Sequence, residues 1–295
     1  MSGIAEDSRT GVGKGDGVIV PTFDERHRAP VLVVPRIPSF DLAERRRYVI
    51  QEEPSEVRLP LDVLLVPRPG ASVLVVSLHG YTDRKKYSLP RFERLASLST
   101  LDTHVLYVSD PTLSLAADLS LAWYVGTASD DLVSRHAALI AACAAQLGVE
   151  RVVLAGSSGG GYAALALGPR IPDSFVVAFS PQTRIGNYHA PHVNRFIRRV
   201  FPQFASWQEV EREYPRRMNL CLDASTNGGP KGWYVQNNRD PFHRKNHMAP
   251  YQKTVGPGMR FFEERHREGH GPPKVERVLD WVSAAIRHPD SPPAA

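Results

Sequence analysis

The sequence has only two cysteines in 295 residues, Cys143 and Cys221, and neither belongs to a CxxC pair. This excludes a disulfide framework and a cluster of thiolate metal ligands, and we expect both thiols to be buried. No stretch approaches the roughly 18 consecutive apolar residues of a membrane span, and residues 1–17 lack the apolar centre of a secretion signal. We therefore expect no membrane span and a cytoplasmic protein.

Long runs of one charge are also missing. The chain has 36 basic and 31 acidic side chains, a net charge of +5, and its clusters of Lys and Arg contain no more than three consecutive residues. No nucleic-acid-binding motif accompanies these groups. The charge pattern predicts no nucleic-acid binding and instead indicates a solvated surface or an anionic substrate.

The chain has no internal repeat, but its pattern changes along its length. Residues 1–17 are rich in Gly, Ser and charge and are predicted to be disordered, and residues 289–295 are predicted to form a flexible tail. In residues 18–69, short apolar runs are broken by prolines, which predicts an N-terminal extension of β-strands. In residues 70–288 strands alternate with helices, which predicts an α/β core with a mainly parallel sheet and helices on both faces.

Continuous apolar runs such as SVLVVSL at 72–78 are typical of strands buried on both faces. The clearest helix lies between the runs at 103–109 and 151–156, with Ser129 and Asp130 as candidate N-terminal caps. The last helix is predicted to begin at the Pro272-Pro273 pair. In such sheets ligands bind beyond the carboxyl ends of the strands, so polar residues there are the candidates for chemistry.

The stretch RVVLAGSSGGGYAALAL, residues 151–167, contains an apolar strand, a Gly/Ser turn and a helix-forming run. This context is typical of the G-x-S-x-G motif, in which a sharp strand-to-helix turn exposes a serine. Only the register from Gly156 to Gly160 has glycine two residues before and two residues after the serine, and its central residue is Ser158. The register centred on Ser157 begins with alanine. Ser158 is the predicted nucleophile, and a Gly/Ser turn without chemistry is the alternative.

A serine nucleophile needs a base and an orienting acid, which follow it in the chain order Ser, Asp or Glu, His. WYVQNNRDPFHRKNH places Asp240 after an apolar strand, and RFFEERHREGHGPP places His270 after the next one. Asp223 in NLCLDAST also ends an apolar run and is the alternative acid. His266 lies among charged residues and is expected to be solvated, whereas His270 is flanked by glycines that let the backbone turn.

The oxyanion hole is predicted from VVSLHGYTD, where a buried strand ends in His79 and Gly80. An HG-containing segment at this position lends a backbone N–H, here that of Tyr81. The second N–H would come from Gly159, the residue after the nucleophile. His79 itself is expected to brace the loop by hydrogen bonds.

Together LHGYT, GSSGGGYAAL, NNRD and GHGPP resemble the α/β-hydrolase superfamily, in the family's order, over residues 70–288. The resemblance implies the α/β-hydrolase fold, with site residues as follows: a triad of Ser158, Asp240 and His270, and oxyanion donors Tyr81 and Gly159. LAWYVGT, YVQNNRDPFHRKNH and GHGPP are also similar to a poorly characterised bacterial branch linked to surface-glycan and accessory-secretion loci.

Other side chains allow other interpretations. Asp240, His243 and His247 have a D-x-x-H-x-x-x-H spacing that could share a metal, but a proline follows the aspartate and no glutamate accompanies the pair. We expect no metal and no cofactor, and we interpret these histidines as loop-bracing, with His243 as a candidate substrate contact. Trp123 and Tyr124 could wall a substrate pocket, although an aromatic pair is more often core.

The predicted function is that of a serine hydrolase of the carboxylic ester class, acting on a small-molecule or glycan acyl ester through an acyl-enzyme. Two alternatives remain. The same site could transfer an acyl group to a glycan or another alcohol, or the chain could be a non-catalytic binding protein with the hydrolase fold. Nothing in the sequence specifies the acyl length or the oligomeric state.

Overall fold

The computed structural model describes residues 22–294, which form one ten-stranded sheet with helices on both faces. The predicted disorder of residues 1–17 lies outside the described residues. The strands are β1 Thr22–Asp24, β2 Ala29–Val34, β3 Arg46–Ile50, β4 Leu61–Val66, β5 Val73–Leu78, β6 His104–Val108, β7 Arg151–Ser157, β8 Ser174–Phe179, β9 Gly232–Asn237 and β10 Met259–Glu264.

The sheet has the order β1-β2-β3-β4-β6-β5-β7-β8-β9-β10. The six strands from β6 to β10 in this order are parallel to their neighbours, β4 is antiparallel to both of its neighbours, and β1 is antiparallel to β2. The predicted mainly parallel sheet is confirmed. The short N-terminal strands β1 to β4 extend it at one edge, where β1 is the outermost strand.

The helices are α1 Leu95–Leu98, α2 Leu132–Leu147, α3 Gly159–Leu167, α4 Ala190–Val200, α5 Trp207–Glu213, α6 Pro215–Met218, α7 Leu220–Asn227, α8 Pro241–His243, α9 Ala249–Gln252 and α10 Val275–Arg287. Alternate side chains of the central strands point to opposite faces. Val73 and Val75 of β5 pack with α1 and α10, whereas Leu74 and Val76 pack with α2 and α3. None of the helices in residues 22–294 combines the length and apolarity needed to cross a membrane.

The strand order reverses around β5. The chain leaves β5 toward β6 on one side, and after β6 it crosses back to β7 on the other side. The connections that follow β5 and β7 therefore diverge and leave a crevice beyond the carboxyl ends of these two strands. The two segments that enter this crevice are His79-Gly80 after β5 and Ser158 after β7.

Three local expectations need correction or comment. The cap of α2 is Asp131, whose carboxylate accepts from the Val133 and Ser134 amides. Asp130 is unavailable as a cap because it pairs with Arg135 at 2.7 Å. The last helix begins at Val275, after the prolines. The expected burial of both thiols holds for Cys143, whereas Cys221 is half-buried.

The C-terminal tail lies against the protein. Arg260 Nη1 and Arg277 Nη1 each donate a 2.8 Å hydrogen bond to it, to the carbonyl oxygens of Asp290 and Ala294 respectively. The flexibility of residues 289–295 stays a prediction.

Candidate active site

Ser158 occupies the turn between β7 and α3 with φ 56° and ψ −117°. A positive φ is strained for a residue with a side chain, and such strain persists only where the surrounding structure enforces it. The Ser158 N–H donates to Phe179 O at 2.9 Å, and its carbonyl accepts from the Tyr162 N–H at 2.9 Å. The neighbouring Ser157 ends the strand and remains in the sheet, so it is Ser158 that stands at the turn.

The two glycines that flank Ser158 at two residues' distance are required by backbone contact. A Cβ on Gly156 would lie 2.3 Å from the carbonyl carbon and oxygen of Gly160, and a Cβ on Gly160 would lie 2.2 Å from Leu78 O. Real Cβ atoms do not approach backbone atoms this closely. The turn can therefore pack against the end of β5 only with glycine at both positions.

Gly156→Ala is expected to lower the free energy of unfolding by about 1 to 3 kcal/mol, because the added methyl overpacks the turn. The matched control is Gly256→Ala, since a Cβ at that position meets nothing within 4 Å. Its unfolding free energy should stay within about 0.5 kcal/mol of the wild type. Chemical denaturation measures both variants, and equal values for the two would contradict the close contact.

Ser158, His270 and Asp240 form a continuous hydrogen-bonded chain. His270 Nε2 lies 2.9 Å from Ser158 Oγ, and His270 Nδ1 lies 2.9 Å from Asp240 Oδ2. The side chain of Asp240 is buried, whereas that of His270 is 25% exposed. The structure thus brings the three predicted site residues together, in the arrangement in which a base contacts the nucleophile and an acid orients the base.

The carboxylate of Asp240 is held in its ionised form. Burial acts to raise the pKa of Asp240, but hydrogen bonds from His243 and His270 outweigh it and hold the pKa well below the usual range. The backbone N–H of His243 adds a third hydrogen bond, to Oδ1 at 3.1 Å. A permanent negative charge therefore faces the Nδ1 side of His270.

The alternative acid Asp223 and the alternative histidine His266 have other partners. Asp223 belongs to helix α7, not to the end of a strand, and both of its carboxylate oxygens lie 2.8 Å from the guanidinium of Arg170. His266 Nε2 lies 3.2 Å from a carboxylate oxygen of Glu264. The Ser158 hydroxyl instead lies within hydrogen-bond distance of His270 and Gln182.

Gln182 is a site residue that the sequence analysis missed. Its side chain is fully buried, and its Nε2 lies 3.0 Å from Ser158 Oγ and 2.9 Å from His243 Nε2. Its Oε1 accepts from Trp123 Nε1 at 3.1 Å. Gln182 follows the end of β8, so the only available signal was its place beyond a strand of the parallel sheet.

The three expected substrate contacts are buried and are not among the residues that line the cavity beside Ser158. Trp123, Tyr124 and His243 are 0%, 1% and 0% exposed. The Tyr124 hydroxyl is occupied by the His79 N–H and by Val108 O. The ring of His243 stacks on that of His270 with a centroid distance of 3.8 Å and an interplanar angle of 9°. These residues pack beside the hydrogen-bonded chain in the protein interior.

The loop after β5 lies next to the serine turn. A Cβ built on Gly80 would stand 3.6 Å from the backbone nitrogen of Gly159, so the two segments are in close contact. The Thr82 N–H is occupied by Ser120 O at 2.8 Å. By contrast, the hydrogen bonds found within residues 22–294 include none donated by the backbone N–H of Tyr81 or Gly159.

His79 fixes the orientation of this loop. Its Nε2 accepts from the Asp110 N–H at 3.0 Å, and its Nδ1 lies 2.9 Å from Gly80 O. Burial lowers the pKa of His79 to about 4, so the neutral ring carries its one proton on Nδ1 and donates to Gly80 O. Because N–H and C=O point in opposite directions in a trans peptide, the Tyr81 N–H points away from His79.

A cavity of about 460 Å³ opens beside Ser158 and His270. This volume lies within the range of small-molecule sites. Tyr81 and His192 line its outer part, where their rings meet edge to face at 5.6 Å. The nucleophile candidate is therefore accessible to a small ligand.

Asp240, His243 and His270 also form a group of potential metal ligands in residues 22–294, with ligand atoms within 4.8 Å of one another. His247, which the spacing pattern included, is not part of it. The Nε2 atoms of His270 and His243 already have protein partners in Ser158 and Gln182. A metal would have to displace these hydrogen bonds, so the residues fit the hydrogen-bonded chain better than a metal site.

No protein family and no curated protein matches the chain by sequence. Solved structures do match. A capsule O-acetyltransferase of Neisseria meningitidis serogroup A has a TM-score of 0.56 at 14% identity, over 78% of this chain and 95% of its own. An acetyl xylan esterase from Paenibacillus sp. R4 has a TM-score of 0.52 at 16% identity, over 81% and 87%.

An S-formylglutathione hydrolase from Agrobacterium tumefaciens has a TM-score of 0.52 at 14% identity, over 83% of this chain and 92% of its own. At these identities the likeness concerns the fold. The sheet order, the strained serine turn and these neighbours agree with the resemblance seen in the sequence. This chain has the α/β-hydrolase fold.

Proposed function

We propose that the protein is a serine hydrolase that cleaves an ester-like acyl bond through an acyl-enzyme on Ser158. The observation that carries the proposal is the hydrogen-bonded chain from Ser158 through His270 to Asp240, with both links at 2.9 Å. The strained turn that exposes the serine and the adjoining cavity support it. A non-catalytic binding protein would need neither the strain nor the ordered chain.

In the proposed reaction, His270 Nε2 takes the proton of Ser158 Oγ as the oxygen attacks the substrate carbonyl. The backbone N–H groups of Tyr81 and Gly159 stabilise the oxyanion that forms. The imidazolium then protonates the departing alcohol, and Asp240 stabilises its charge. Water, deprotonated by His270, attacks the acyl-enzyme and releases the acid together with a regenerated serine.

Gln182 has a supporting part in this proposal. Its amide is fixed by Trp123 and His243 and lies 3.0 Å from Ser158 Oγ. It therefore limits the positions that the hydroxyl can take. Because an amide is not basic and cannot take the proton of the hydroxyl, we propose that Gln182 positions the nucleophile.

Acyl transfer to an alcohol is the second candidate. The observation that favours it is the structural neighbour described as a capsule O-acetyltransferase, whose TM-score of 0.56 is no lower than those of the esterases. Transfer would use the same acyl-enzyme and replace water by a glycan hydroxyl. The two candidates differ only in the acceptor for the second step.

One experiment tests both steps. The protein is mixed with p-nitrophenyl acetate, and the release of p-nitrophenol and the acetylated peptide are followed by absorbance and mass spectrometry. We expect an initial burst and acetyl on the peptide that contains Ser158. A rise in acetylated product on addition of a glycan acceptor, at the expense of acetate, would assign transfer; no burst and no acetyl-peptide would refute the proposal.

A further inference from the structure

The cavity beside Ser158 is lined by an arginine whose guanidinium is not paired with a carboxylate in the described part of the chain. Arg94 lines the cavity, together with Leu98 one helical turn further along the chain. Within residues 22–294, no hydrogen bond or ion pair is made by its guanidinium. Arg94 is half-buried, and a half-buried guanidinium without a protein partner keeps its N–H donors available to a ligand in the cavity.

The neighbouring acid, Glu93, acts on the charge of Arg94 but makes its direct ion pair with another arginine. The carboxylate of Glu93 already pairs with Arg91, whose Nη2 lies 2.8 Å from Glu93 Oε2. The Arg91 guanidinium also lies over the ring of Tyr87, at 3.7 Å from its centroid. This pair is internally neutral, and so Arg94 adds a positive charge to the cavity wall.

The backbone of Arg94 adopts an unfavourable conformation. Its φ is 59° and its ψ is 30°, a left-handed conformation that is unfavourable for a residue with a long side chain. Burial lowers the pKa of Arg94, and the nearby charge of Glu93 acts in the opposite direction. The chain thus holds a partly buried cation in the cavity wall, in a backbone conformation that is unfavourable for arginine.

A second guanidinium faces the same space. Arg267 also lines the cavity, and its Nη2 donates to His270 O at 3.2 Å. The apolar part of the wall includes Leu98, Phe179 and Val278. The cavity beside Ser158 therefore combines apolar side chains with the positive charges of Arg94 and Arg267.

We propose that this cavity binds a substrate with an anionic group, a carboxylate or a phosphate, and that Arg94 is the residue that recognises it. Guanidinium binds both anions through two parallel N–H bonds, and the missing hydrogen-bond partners of Arg94 are those that such an anion supplies. The assignment of this ligand as a substrate rests on the proposed function. Arg94 is then a specificity residue that acts at a distance from the scissile carbonyl.

Binding is tested without catalysis in the Ser158→Ala protein. This protein is titrated calorimetrically with glutarate and, separately, with inorganic phosphate at low salt. With Arg94→Gln added, we expect the dissociation constant of the preferred anion to rise at least about tenfold. The anion that binds more tightly to the protein with Arg94 intact identifies the recognised group as a carboxylate or a phosphate.

Arg212→Gln is the matched control, because it removes the same charge from an exposed position on α5, outside the cavity lining. Its anion affinity should equal that of the parent. The proposal is overturned if neither anion binds, or if Arg94→Gln and Arg212→Gln weaken binding equally.

Turnover provides a second test on the otherwise intact chain. Mono-p-nitrophenyl glutarate and p-nitrophenyl pentanoate differ only in a carboxylate in place of the last methyl group. If glutarate is the preferred anion, Arg94→Gln should lower kcat/KM for the glutarate ester at least about tenfold and leave the pentanoate ester within about twofold. Equal effects on both esters would overturn the proposal.

The two proposals can fail separately. Anion binding that depends on Arg94, without turnover of any ester, would support the anion site and refute the proposed hydrolase. Turnover of the pentanoate ester by both the wild type and Arg94→Gln, with no anion binding, would support the hydrolase and refute the anion site.

Discussion

Ser158→Ala is expected to lower kcat for an acyl ester by about 10⁴-fold to 10⁶-fold, the range found when a serine nucleophile is removed from a triad. The variant retains the backbone N–H groups of Tyr81 and Gly159, so a residual rate above that of water should remain. Hydrolysis of p-nitrophenyl butyrate measures the loss. Thermal unfolding of the variant should remain near that of the wild type, since alanine removes only the hydroxyl.

Ser157→Ala is the matched control for this variant. Ser157 is the last residue of β7 and lines the cavity, whereas the hydroxyl that lies 2.9 Å from His270 Nε2 is that of Ser158. We expect the kcat of Ser157→Ala to fall by less than about tenfold, as for a residue of the cavity wall that takes no part in the proton transfer. A large loss in Ser157→Ala with a small loss in Ser158→Ala would reverse the assignment of the nucleophile.

Asp240→Asn should give the second large effect, a fall in kcat of about 10³-fold to 10⁴-fold. The amide cannot supply the negative charge that stabilises a protonated His270, and it favours the wrong tautomer of the ring. Asparagine is a good helix cap, so the cap that Asp240 provides to α8 should survive. The rate loss is measured on the same ester after the folded fraction has been checked by circular dichroism.

Asp223→Asn separates the two candidate acids. Asp223 is 2% exposed and pairs with Arg170. Its substitution should lower the free energy of unfolding by about 1 to 3 kcal/mol, as expected for a charged hydrogen bond. The kcat of the folded fraction should stay within about twofold of the wild type. If instead Asp223→Asn loses activity and Asp240→Asn keeps it, the triad acid has been misassigned.

The parts of the site that the sequence predicted are those with a fixed local context. The serine turn needs glycine on both sides because backbone atoms approach within van der Waals contact, and this leaves a visible pattern around Ser158. Asp240 and His270 each follow a strand whose apolar run is easily recognised. Parallel strands bring their carboxyl ends to one edge, so residues far apart in sequence could be expected to meet.

The parts that the sequence did not predict depend on tertiary packing. Gln182 contacts Ser158 and His243 across the site, and no local pattern marks a glutamine for that position. Trp123 and Tyr124 are buried, as is more often the case for an aromatic pair, but their hydrogen bonds to Gln182 and Val108 depend on the tertiary fold. The charge of Arg94 is informative only because its neighbour Glu93 is already paired with Arg91.

Labelling with a fluorophosphonate probe tests the central claim most directly. The probe phosphonylates a serine hydroxyl only when a base activates it, so the position of the adduct identifies the nucleophile. After proteolysis and tandem mass spectrometry, we predict one adduct, on Ser158, which is absent from Ser158→Ala and strongly reduced in His270→Ala. An adduct on Ser157, or no adduct on the folded wild-type protein, would contradict the proposed function.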